Sequence, residues 1–155
     1  MSKRILFHRM FGMLALLGLL LPFSAAPAAL GQAGVSADTT APGPVLSLSA
    51  GPGASPGGVD LSWIAPGDDG TAGTAATYVM RYNTVPITED SWANSSDVPG
   101  EPVPSVAGSV ESMTVSGLAP GRTYHFALKT QDEVPNTSAV SNSPRAAARS
   151  WPNAV

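Results

Sequence analysis

The chain has 155 residues, room for one domain, with 8 basic and 11 acidic residues, a net charge of −3 and no cysteine. The missing thiols exclude a cysteine nucleophile, a cysteine-ligated zinc and the lipid-modified form of bacterial export. An acidic chain without a basic stripe has nothing to neutralise phosphates, so nucleic acid and anionic membrane surfaces are poor candidate partners.

Lys3, Arg4 and Arg9 precede an apolar run over residues 10–23, and small residues follow as far as Ala33. This is the layout of a secretory signal peptide over residues 1–33, with a helical apolar core; Gly31 and Ala33 suit cleavage after Ala33, and Ala26 and Ala28 offer an earlier alternative. A spanning anchor wants about 20 apolar residues, whereas Pro22 and Ser24 interrupt this run, so no stable membrane anchor is expected after cleavage. Removing those three cations leaves 5 basic against 11 acidic residues, a charge of −6. The product is expected to be secreted or periplasmic.

Residues 34–43 are small, polar and punctuated by Pro42, which reads as a flexible linker. The domain spans residues 44–147. Val45 and Leu48 belong to its first strand, residues 51–58 form a turn cluster, and Val59, Leu61 and Trp63 alternate with Asp60 and Ser62 in the second. Tyr78, Met80 and Tyr82 share one face of a third strand. Four prolines between Asn83 and Ser109 predict a loop-rich side, with Trp92 inside it. Met113 and Val115 mark a further strand, Pro120 and Gly121 turn the chain, and Tyr124, Phe126 and Leu128 then face one way with His125, Ala127 and Lys129 opposite. A last strand is placed at residues 138–142, and residues 148–155 are left as a tail.

Leu118, Pro120 and Tyr124 form a Leu-x-Pro-x-x-x-Tyr run, which resembles the corner between strands E and F of the fibronectin type III family. The resemblance extends over the domain in a single copy, of the kind carried by exported bacterial proteins. It implies an all-β, immunoglobulin-like two-sheet sandwich. It also implies a structural core containing Leu61, Trp63, Tyr78, Tyr82, Leu118, Tyr124 and Phe126. Trp63 would fill the centre of the sandwich, where burial of so large a ring supplies on the order of 3 kcal/mol. The Tyr124 hydroxyl would bond a backbone group just upstream.

Catalytic parts are few. After cleavage His125 is the one remaining histidine, and no Gly-x-Ser-x-Gly elbow or phosphate-binding loop occurs, so no enzyme is expected. The carboxylates offer more, because in this fold the loop with Asp68 and Asp69 and the loop with Asp132 and Glu133 lie at the same end. Together they offer oxygen ligands of the kind calcium takes, although Asp-Asp and Asp-Gly are also ordinary turn formers. No other cofactor is expected. Trp92 reads as a hydrophobic lid or as a ligand-stacking platform, and Trp151 as a second stacking candidate. The family's Arg-Gly-Asp attachment tripeptide is absent, and Asn94 and Asn136 open glycosylation sequons. By analogy the chain is expected to be an interaction module for a protein of the cell envelope, through loops and sheet edges. A polysaccharide-associated accessory domain and a structural spacer are the alternatives.

Overall fold

A computed structural model describes residues 38–134 and 136–152. The signal peptide expected at residues 1–33 lies outside them. Residues Ser36–Val155 are a compact unit by themselves. Seven strands form it: β1 (Ser49–Pro52), β2 (Val59–Ile64), β3 (Thr77–Asn83), β4 (Ser96–Val98), β5 (Val110–Val115), β6 (Thr123–Gln131) and β7 (Arg145–Ala147). They pair antiparallel in two sheets, ordered β1-β2-β5 and β4-β3-β6-β7, an all-β sandwich of the immunoglobulin-like class.

Strict alternation makes β2 a half-buried strand: Val59, Leu61 and Trp63 are buried while Asp60 and Ile64 face water. From the other sheet Tyr78, Met80, Phe126 and Leu128 meet them. The Trp63 and Tyr78 rings pack edge to face with centroids 5.3 Å apart. Tyr82 is only partly buried, packed edge to face on Tyr124 at 5.6 Å. The polar ends of this core are confined. Trp63 stands opposite Glu111 in the β2–β5 register, and the Tyr78 hydroxyl has its pKa pushed up to about 12, first by burial and further by Glu111, against an opposing interaction with Trp63.

The corner between β5 and β6 is tied twice. The Ala119 N–H donates to the Tyr124 hydroxyl at 3.2 Å, and the buried Leu118 donates its N–H to the Gly57 carbonyl at 3.1 Å. Gly57 has φ +76°, and a Cβ there would stand 2.5 Å from the Leu118 carbonyl oxygen. A side chain is therefore excluded on both counts.

Three segments differ from the sequence reading. Regular pairing to the outer edge of β6 falls at Arg145–Ala147 rather than at residues 138–142. In the earlier segment Ser138 exchanges bonds with Thr130 and Ser141 with Leu128, a three-residue advance against two on β6. The Thr130 and Leu128 N–H groups donate not to carbonyls but to the Ser138 and Ser141 hydroxyls, both at 2.9 Å, and Phe126 donates to the Pro144 carbonyl at 3.0 Å. The alternation is thus that of a bulged edge whose serines replace ladder acceptors.

At the other two places backbone bonding continues past residues 44–147. Pro42, read as linker, is buried and bridges to Gly70, and Gly43 donates to the Gly70 carbonyl at 2.9 Å. Past Ala147, Ala148 is buried and exchanges bonds with Gly121 and Arg122. Both additions fill backbone needs of neighbouring loops, a demand that composition does not reveal.

Replacing Ser141→Ala strands the buried Leu128 N–H and is expected to cost about 1–3 kcal/mol, against about 1 kcal/mol for Tyr124→Phe, whose loss leaves only the Ala119 N–H near solvent. Urea unfolding of the chain from Ser36 onward checks this order.

Candidate functional site

The loops after β2 and β6 meet at one end of the sandwich with the segment leading into the domain. Loop 65–76 is closed by paired bonds between Asp68, Asp69 and Ala72. Gly67 sits so close to Ala72 that a Cβ would stand 2.1 Å from its backbone. Asp132, which the sequence reading grouped among possible metal ligands, is buried and already employed. Its Oδ1 accepts from the Val134 and Asn136 N–H groups at 3.1 and 2.7 Å, and its Oδ2 from the Asn136 side chain at 2.7 Å. That carboxylate builds the turn, and the Asn136 amide it holds is not a free sequon side chain.

Asp69 is exposed and stands outside the group that does converge. Asp38, Asp68 and Glu133 each bring a carboxylate oxygen within 4.8 Å of the others. Asp38 joins because its backbone carbonyl accepts from the Asn136 side chain at 3.3 Å. Sequence reasoning missed it, having assigned residues 34–43 to a linker; its one signal was the Asp38-Thr39-Thr40 turn, in which the Thr40 N–H donates to Asp38 Oδ1 at 2.9 Å. Asp68 carries the cost of the gathering: its pKa is raised, first by burial and then by Glu133, Asp132, Asp69 and Asp38. With one converging oxygen each, the three carboxylates supply three of the six to eight oxygens that calcium takes. What the group shows is concentrated negative charge.

Beside this charge runs an open apolar groove of about 460 Å³ lined by Pro44, Leu46, Ile64 and Pro66, with Gly70 and Thr71 closing it on the acidic side. Leu46 is 75% exposed, and Val110, the cross-strand partner of Ile64, is 76% exposed. The strand that buries Leu61 and Trp63 turns Ile64 outward, and the register sets Val110 across from it.

The two tryptophans separate. Trp92 is partly buried over the outer face of the four-stranded sheet, with the Arg81 guanidinium 5.0 Å and the Lys129 ammonium 5.2 Å from its ring centroid. Arg81 also donates to the Trp92 carbonyl at 2.6 Å and pairs with Asp97 at 2.9 Å. Lys129 pairs with Glu89 at 2.6 Å, and this bond, joined by one from the Val140 N–H, holds the Glu89 pKa down. Trp92 thus clamps its loop over the sheet, above the fully buried Ala127. Trp151 is 71% exposed and lines a second open groove, of about 440 Å³, with Pro56 and Arg149. His125 lies opposite Asn83 and Arg145 in the sheet, neither of them a nucleophile for it to activate.

A family model described as the fibronectin type III domain matches residues 43–143. Among solved structures, the FN1–FN3 domains of chicken CNTN1 align at 23% identity and a TM-score of 0.51, covering 74% of this chain and 35% of that one. An Fn3-like protein from Clostridium thermocellum aligns at 17% identity and a TM-score of 0.48, covering 74% of this chain and all of the other. Among curated proteins no match is found.

Because the folded Asp68 pKa lies above its ordinary value, ionising this carboxyl opposes folding. The penalty is absent below the unfolded pKa and sets in as pH rises through the folded one. Asp68→Asn is therefore expected to raise Tm at neutral pH, with the gain vanishing as pH falls below the ordinary carboxylate range. Thermal unfolding followed across pH checks the sign.

Proposed function

The chain belongs to the fibronectin type III family, and from that premise we propose that it is a non-catalytic interaction module of the extracellular or periplasmic space, binding a protein through the loop end that carries the apolar groove. The family is found in extracellular interaction proteins and its domains are generally non-catalytic. No helix among the described residues is long and apolar enough to cross a membrane. The observation that carries the reading is the exposure of Leu46, Ile64 and Val110 beside the acidic loops. Burying such side chains against a partner is favourable by about 25 cal/mol per Å² of apolar surface, and a groove rimmed by charge is the usual form of a contact surface. Sheet edges offer less. β1, β4 and β7 have four residues or fewer, so strand addition falls to the six-residue β5.

The exposed Trp151 beside Arg149 favours a second reading, an accessory domain holding polysaccharide by ring stacking. The clamped Trp92 gives it no support.

The chain from Ser36 onward, immobilised and challenged with insoluble polysaccharides, peptidoglycan and an envelope protein extract, separates these. Protein retention that is lost in Ile64→Asp is the expected result. Glycan retention lost in Trp151→Ala would establish the second reading, and retention of nothing would leave a spacer.

A further inference from the structure

The cations among the described residues are unevenly spread. Arg81 and Lys129 are spent in ion pairs with Asp97 and Glu89 on the flank of the four-stranded sheet. Arg122, Arg145 and Arg149 are exposed, in no salt bridge among the described residues, and lie together at the end opposite the acidic loops. The Gly57 N–H donates to the Arg149 carbonyl, the Ala148 N–H to the Arg122 carbonyl, and Arg145 pairs with His125 near the start of β6. Asp38, Asp68, Asp69, Asp132 and Glu133 crowd the far end, where no described residue is a Lys or Arg. Each pole also bears an exposed apolar element: the groove of Pro44, Leu46, Ile64 and Pro66 at the acidic pole, and Trp151 at the basic one.

We propose that these poles are the two halves of one interface and that the chain associates head to tail with copies of itself, Trp151 of one copy entering the Leu46–Ile64 groove of the next. The proposal rests on the reading of that groove as a contact surface and names its partner. Trp151 shares its groove with Arg149, and the receiving groove shares Gly70 and Thr71 with the loop of Asp68 and Asp69. Seating the ring therefore brings arginine against carboxylates. An exposed tryptophan flanked by arginine is the composition of an interface hot spot, and opposite poles steer the encounter. Because the two surfaces differ and lie at opposite ends, the contact is heterologous and adds copy to copy, so it yields short chains, or a ring if the rotation closes, rather than a symmetric dimer. One ring and a few charge pairs make a small interface, weak and quickly exchanging.

Sedimentation velocity of the chain from Ser36 onward, over a wide concentration range, tests this. At low ionic strength the weight-average mass is expected to rise with concentration past that of a dimer. At about 1 M salt, where the screening length is roughly 3 Å, it falls towards the monomer. Trp151→Ala, on an exposed side chain and so with Tm unchanged, is expected to weaken association at least tenfold. Arg149→Glu and Asp69→Arg weaken it separately, and mixing these two variants restores pairing between them. A monomer at every concentration in low salt, a mass that stops at the dimer, or association untouched by Trp151→Ala would overturn the proposal. If the chain stays monomeric yet retains a foreign protein in an Ile64-dependent way, self-association fails while the interaction module stands; if it does neither, both fail.

Discussion

Phe126, Ala127 and Leu128 are fully buried in consecutive positions, so the centre of β6 has no face in water and every backbone group along it must find a partner inside the protein. The rest of the sandwich is arranged around that demand. On one edge β3 pairs with β6 over seven residues. On the other, where a second ladder would ordinarily run, serine hydroxyls and the Pro144 carbonyl accept the Phe126, Leu128 and Thr130 N–H groups in turn. The inner face meets β2 through Trp63, and the Trp92 loop seals the outer face. With both faces and both edges fixed, β6 delivers the Tyr124 corner at one end and the Asp132 turn at the other.

What was legible in the sequence was whatever a two-residue period and a short local motif can encode. The alternation in β2 marked Leu61 and Trp63 as inward, and Leu118, Pro120 and Tyr124 marked the corner, because a corner is made by residues close in the chain. The family's closing pattern misled at residues 138–142, where the serines fit a regular strand on paper but act as backbone surrogates. Nor does any pattern announce that the Met80 N–H will donate to the Glu101 carboxylate at 2.9 Å, after Pro99 and Gly100 have turned β4 away. Such bonds join side chains to backbone across loops, and only the closed fold defines them.

The candidate site shows the same division. Asp68 and Glu133 could be placed at one end because topology fixes which loops are neighbours. Asp38 could not, since it arrives through a bond from Asn136 to its carbonyl. Asp132, next in sequence to Glu133, has the opposite fate: its oxygens are consumed by the turn. Two adjacent carboxylates thus serve different ends, one structural and buried, the other exposed and free to act through its field. Chemistry that looks interchangeable on paper is divided by which backbone N–H groups lie within reach.

The three-for-two spacing beside β6 has a further consequence. A straight outer strand would present a row of evenly spaced donors and acceptors to any other polypeptide, a template for amyloid-like stacking. Along residues 138–144 the bulged course breaks that repeat, and its serines turn their hydroxyls onto the carbonyls of Ala139 and Asn142. A cysteine-free domain has no covalent clamp against misfolding, and here a kinked border with no regular register guards against fibrils.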